Sequence, residues 1–141
     1  MNQETTLQRI KELIDNGDML LKLFNMEVTE YNEGIASVRM KVRDSHLNAA
    51  NICHGGVVFS LADVAFALAS NSYGNVALAL DMSISYLKAV RSGTILTARC
   101  SECKRSRRIG TYLIEVKDAS GDLVALLKAT AFIKETPHFN D

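Results

Sequence analysis

The residues best suited to chemistry are His54, Gly55, Gly56 and Asp63, all within one run, HGGVVFSLADVAFALASNS, from 54 to 72. The run reads as a single helix that is apolar nearly all round: Val57, Val58, Phe59, Leu61, Ala62, Val64, Ala65, Phe66, Leu68 and Ala69. Such a helix is buried on several sides. A carboxylate in its middle is then costly, because burial without a partner either carries a large penalty or forces the group to take up a proton. A hydrogen bond to a loop would account for Asp63 taken alone. The start of the helix adds to that. The two glycines allow close backbone approach, and the first N–H groups and the positive end of the helix dipole lie there. This start can hold an oxyanion or polarise a carbonyl, although HGG also suits an ordinary loop-to-helix junction.

His54 and Asp63 are nine positions apart, which on a regular helix is roughly 13 Å along the axis and about half a turn out of phase. They do not converge on one reacting carbon within one chain. Two copies of the helix about a two-fold axis would bring the start of one near the middle of the other. The spacing therefore favours a site shared across a symmetric dimer.

The elements that must position these residues follow from periodicity. Leu7, Ile10, Leu13 and Ile14 give a helix over 5–16, with Thr5 and Gln8 as a capping box and Gly17 as a stop. A second short helix or turn covers 18–25. In 35–43, Ala36, Val38, Met40 and Val42 alternate with polar residues, a half-buried strand that pairs with 26–31 through the turn at 32–34. A loop over 44–53 leads into the apolar helix. Four more strands follow at 76–87, 94–103, 109–117 and 123–134, and their short connections favour an antiparallel meander. In the first of these, Leu78, Leu80, Met82, Ile84 and Tyr86 share one face. The expected architecture is α+β, one long helix on a curved sheet, with the tail from 136 to 141 frayed.

The whole chain is consistent with this. Its 141 residues suffice for one domain with a real core, and 48% of them are hydrophobic with a single proline. Lys plus Arg and Asp plus Glu number 16 each, so no global charge points to nucleic acid. The N-terminus MNQETTLQRI has no apolar signal region, and the run from Val57 to Ala69 is too short to span a bilayer. Three cysteines, Cys53, Cys100 and Cys103, suggest reduced thiols and a cytoplasmic setting. Cys100 and Cys103 spell CxxC, but inside a strand three positions apart is opposite faces. Cys53 stands beside His54, but sequence neighbours rarely form a Cys–His pair, and a buried packing role is expected instead of a nucleophile. His46, His54 and His138 show no metal-ligand spacing with the cysteines, so no metal is expected. The one basic cluster, Lys104 to Arg108, is short and not interleaved with aromatics. A solvated hairpin turn is its commoner explanation.

The run NAANICHGGVVFSLADVAFALASNS, from Asn48 to Ser72, resembles the hotdog-fold acyl-CoA thioesterases of the PaaI and thioesterase superfamily member 2 type. The motif is HGG, six further residues, an acid, and an upstream asparagine; with the later strands the likeness spans about Met26 to Ile133. It implies a single hotdog domain over 1–141, with a helical segment over about 5–25 and a core over about 26–135. The implied fold is a curved antiparallel sheet wrapped round a long central helix. The implied assembly is a dimer with a continuous sheet and shared sites, commonly paired into a dimer of dimers.

The resemblance also implies roles. Asp63 would be general base or nucleophile. The Gly55 N–H would polarise the thioester carbonyl, with His54 near that carbonyl and the leaving sulfur, and Asn48 would orient substrate or water. The acid would come from the subunit opposite the HGG. Ala79 departs from relatives that carry a serine near this position to support the attacking water. Gly56, Lys88, Arg91, Arg105, Arg107 and Arg108 would bind substrate, the cations meeting the coenzyme A phosphates. The expected function is hydrolysis of an acyl- or aryl-CoA thioester, with coenzyme A as part of the substrate and no separate cofactor. The alternatives are a hotdog enoyl-thioester hydratase or dehydratase, and a non-catalytic acyl-CoA-binding sensor.

Overall fold

A computed structural model describes residues 1–140. The chain runs α1 (Gln3–Gly17), α2 (Met19–Leu23), β1 (Glu27–Asn32), β2 (Ile35–Lys41), a short 3-10 turn (Asp44–His46), α3 (Gly55–Asn71), β3 (Asn75–Tyr86), β4 (Ile95–Arg105), β5 (Ile109–Asp118) and β6 (Leu123–Pro137). The six strands form one sheet in the order β1-β2-β4-β5-β6-β3, every neighbouring pair antiparallel. This is the hotdog fold: the sheet curves round α3.

The alternation in the strands explains how it does so. Ala36, Val38 and Met40 of β2, Leu96, Ala98 and Cys100 of β4, Tyr112, Ile114 and Val116 of β5, and Ala125, Leu127, Ala129, Ala131 and Ile133 of β6 are all buried on one face. They meet Val58, Leu61, Ala62, Ala65, Leu68 and Ala69 of α3 in a single core. Five alanines on that inner face leave room for a whole helix at interior packing density. The rings of Phe66 and Tyr112 meet edge to face, centroids 5.4 Å apart. α1 and α2 lie against α3 beyond the sheet, anchored by the buried Ile10 and Leu21.

Four expectations are corrected. α1 starts earlier: Asn2, not Thr5, is its cap, its side chain accepting from the Thr5 N–H, while Gln8 donates to Glu12. Strands β4 to β6 are a meander, but β3 is not part of it; it crosses to the far edge and pairs with β6. A bulge between Ala79 and Asp81 breaks the alternation of β3. Met82, Ile84 and Tyr86 share the face of Ala77, whereas Leu78 lies opposite Phe132 on the outer side and both Leu78 and Leu80 are exposed. The tail is held rather than frayed as far as Phe139. β6 reaches Pro137, His138 donates its N–H to the Gly74 carbonyl, and Arg9 stacks on the Phe139 ring at 4.0 Å.

Candidate active site

The sheet, with α1 and α2, packs against α3 and leaves one stripe open. Gly56, Phe59, Ser60, Asp63 and Ala67 are the residues of the helix that keep solvent access beyond its first turn's Gly55, spaced three and four apart on one face. Asp63 is therefore half-buried on the open face. No hydrogen bond or ion pair reaches its carboxylate among the described residues. Burial, with the like charge of Asp18 at the start of α2 as a lesser cause, holds its carboxyl above the ordinary carboxylate range. A carboxylate in this condition is a competent base.

The helix start has its own open group. His54 is the N-cap of α3, in extended conformation, and its Nδ1 accepts from the Gly56 N–H at 3.2 Å. The Gly55 N–H has no acceptor among the described residues. One donor at the positive end of a 17-residue helix thus remains free. Because Nδ1 is used as an acceptor, the neutral imidazole carries its proton on Nε2, which has no protein partner.

The loop before the helix is organised by Asn48. Its side-chain oxygen accepts from the Ala50 and Ile52 N–H groups at 2.9 and 3.4 Å, which leaves its amide nitrogen unengaged. Asn48, Ile52, Cys53, Gly55, Tyr86 and Lys88 line one cleft of about 400 Å³. Lys88 reaches Asp118 and Asp122 at 2.6 and 2.7 Å at its edge. Arg91 follows on the same loop, exposed and without a side-chain partner among the described residues. Cys53 is buried and its thiol is pushed up to about 11 by desolvation, so it keeps its proton at neutral pH.

The protomer does not bring all the expected residues together. Asp63 lies about 12 Å along the axis from Gly55. The cluster at the end of β4 lies at the other end of α3: Arg105 donates to the Ser70 carbonyl at 3.2 Å and to the Tyr112 hydroxyl at 3.3 Å, and stacks over Tyr73. Ser70 is roughly 22 Å from Gly55 on this helix. Arg107 and Arg108 both pair with Glu135.

Tyr86 belongs to the site and was read from sequence only as a strand-face residue. Its hydroxyl donates to the Gly55 carbonyl at 2.9 Å, and a Cβ on Gly55 would meet its ring at 2.9 Å. The signal available was a tyrosine ending a strand, 31 positions from its partner, which sequence spacing alone does not connect to the helix start.

The thioesterase superfamily model matches residues 50–125. A putative esterase of Archaeoglobus fulgidus is 47% identical over 126 residues, 89% of this chain and 82% of the relative. The acyl-coenzyme A thioesterase PaaI of Escherichia coli is 37% identical over 111 residues, 79% of each chain. The solved structure of E. coli PaaI, from the phenylacetic acid degradation operon, superposes with a TM-score of 0.92 over 96% of this chain and 99% of that one, at 30% identity. A Streptococcus mutans protein solved bound to acetyl CoA superposes with a TM-score of 0.77 at 28% identity, over 80% of this chain and 91% of that one.

Proposed function

Because this chain belongs to the thioesterase superfamily and is a thioester hydrolase, we propose that it cleaves acyl- or aryl-coenzyme A thioesters in a site shared by two protomers. The observation that carries this reading is a pair of unsatisfied groups on one helix: the free Gly55 N–H at its start and the unpartnered Asp63 carboxylate on its open face. They are too far apart to act on one carbonyl in the same chain. The edge strand β3 supports the second copy. It is 12 residues long, lies at the end of the sheet and exposes Leu78 and Leu80, and such an edge is a template for pairing. Joining two β3 edges sets two α3 helices side by side, so that one helix start faces the other's Asp63.

In this site the Gly55 N–H donates to the thioester carbonyl oxygen and stabilises the charge that grows there. The partner subunit's Asp63 takes a proton from an attacking water, or attacks the carbonyl carbon itself. A C–O bond forms and the C–S bond breaks, the sulfur leaving as coenzyme A thiolate that takes up a proton; where Asp63 itself attacks, water then hydrolyses the acyl–Asp63 anhydride and restores the carboxylate. The His54 Nε2–H faces the leaving sulfur, and the unengaged Asn48 amide orients water or substrate. Ala79 has no hydroxyl to support that water. Lys88, which lines the cleft, and Arg91, three residues further along the loop, are the cations for the nucleotide phosphates, as befits a fold whose S. mutans neighbour was solved with acetyl CoA. No cofactor is called on. The two protomers form the minimal unit, with a dimer of dimers as the expected assembly.

An acyl-CoA panel followed by thiol release, with wild type and Asp63→Asn in parallel, tests the reading. Asp63→Asn is expected to lose on the order of 10³-fold in kcat. Equal rates would remove Asp63 from the mechanism. An enoyl absorbance change without free thiol would make the chain a hydratase, and binding without turnover a sensor. A lone monomer at full activity would end the shared-site picture.

A further inference from the structure

We propose that Tyr86 is a positioning residue for His54, acting through the Gly55–Gly56 peptide; the inference rests on the site reading above. One peptide unit is held at both ends. The Tyr86 hydroxyl donates to the Gly55 carbonyl at 2.9 Å, and the Gly56 N–H of the same peptide donates to His54 Nδ1 at 3.2 Å. Hydrogen bonds in such a chain polarise one another in the same sense. Drawing density toward the Gly55 oxygen makes the Gly56 N–H a better donor, and that donor fixes which imidazole nitrogen is free. The consequence is that the neutral form of His54 carries its proton on Nε2, which has no protein partner.

Packing says the same. Tyr86 ends β3, paired with Ala125, so a sheet strand sets its backbone, and the hydroxyl end of its ring lies against Gly55. A Cβ there would come within 2.9 Å of the ring carbon and 3.0 Å of the hydroxyl oxygen. A side chain at 55 would displace the end of the tyrosine ring and with it the bond to the Gly55 carbonyl. Tyr86 is 54% exposed, and it contributes little to the core, so removing its hydroxyl tests the relay rather than the fold.

The variant is Tyr86→Phe, read in two ways. In the first, nitrogen-15 correlation spectra of the imidazole, recorded above the histidine titration and assigned with His54→Ala, are expected to show a single Nε2–H tautomer in wild type and a mixture in Tyr86→Phe. In the second, kcat on an acyl-CoA is expected to fall about tenfold with KM unchanged. The fall should largely vanish in a His54→Ala background, because both substitutions break the same relay. An unchanged tautomer in Tyr86→Phe overturns the proposal, as does a kcat loss that persists in full without His54. The tautomer reading needs no turnover. A chain with the Tyr86-dependent tautomer but no thioesterase activity would therefore refute the proposed function and leave this inference standing.

Discussion

The two ends of α3 carry similar polar residues and treat them in opposite ways. At the C-terminal end every polar side chain is closed off. Tyr31 donates to the Leu68 carbonyl, Ser70 to the Phe66 carbonyl and Ser72 to the Ala69 carbonyl, while Asn71 bonds Ala67, both backbone groups of Ala77, and His138. Arg105 caps the Ser70 carbonyl and brings positive charge to the negative end of the helix dipole. At the N-terminal end and along the open face, the Gly55 N–H, the His54 Nε2, the Asn48 amide nitrogen and the Asp63 carboxylate have no partner among the described residues. Buried polar groups that are fully satisfied specify a structure. Groups left open on a rigid frame are available to a ligand.

Substitutions at the two ends should therefore differ in sign. Arg105→Ala is expected to cost about 2 kcal/mol, a fall of roughly 5 °C in Tm for a domain of this size, and to leave the KM for an acyl-CoA unchanged. Asp63→Asn is expected to raise Tm at neutral pH. A carboxyl held above its usual range favours the fold at low pH, and that contribution is lost as pH rises through the raised value. The gain from Asn should accordingly shrink as pH falls through the raised value and be gone below about pH 4. Thermal melts of both variants across pH check this. If Arg105→Ala kept its Tm and raised KM instead, the closed end would have to be redrawn as a phosphate site.

Lys88 stands between the two classes and gives a smaller effect. It lies on the cleft, yet it is engaged by Asp118 and Asp122. The ammonium and the Ser120 hydroxyl hold the Asp118 carboxyl well below its usual range. A lowered carboxyl stabilises the fold above the ordinary carboxylate pKa and loses that contribution as pH falls. Lys88→Ala is expected to lower Tm slightly at neutral pH, with the difference closing below about pH 4. It should also raise the KM for an acyl-CoA by about threefold, more at low salt than at high. A short thioester lacking the nucleotide should show no such change, and steady-state kinetics on both substrates separates the roles.

How much of this was legible in the sequence depends on range. The strands read correctly because Ala36, Val38 and Met40 alternate, and α3 because its apolar residues surround it. HGG and Asp63 were visible as a motif on a helix. What was hidden depends on contacts between distant segments. The place of β3 beside β6 is a matter of sheet order, which alternation does not encode. The bulge at Leu80 turns Leu78 outward, although the residue types run on unbroken. Asn2 and Thr5 are both acceptable caps, and only the geometry of the first turn chooses between them. In sequence Arg105 resembles its neighbours Arg107 and Arg108, and only the fold puts its guanidinium over Tyr73 and against Ser70. Tyr86 reached the site through a single bond to a backbone carbonyl, which no side-chain pattern reveals.

The smallest expected effect concerns the thiols, and it tests the same division. Cys53 lies beside His54, a position that could be mistaken for a nucleophile. Yet it is buried, its Sγ donates to the His54 carbonyl at 3.7 Å, and burial keeps it protonated. Cys100 is buried on the inner face of β4, with its thiol pushed further up by the same cause. Cys103 is exposed, near the closed end of α3 at a bulge in β4. A neutral alkylating reagent at neutral pH is then expected to label Cys103 alone, with activity unchanged, since the labelled position is far from both the Gly55 N–H and the Asp63 carboxylate. Mass spectrometry of the labelled peptide beside a thiol-release assay settles it. Loss of activity in step with labelling of Cys53 would mean that the chemistry at the helix start runs through sulfur, and the open end would need a different account of what its free groups do.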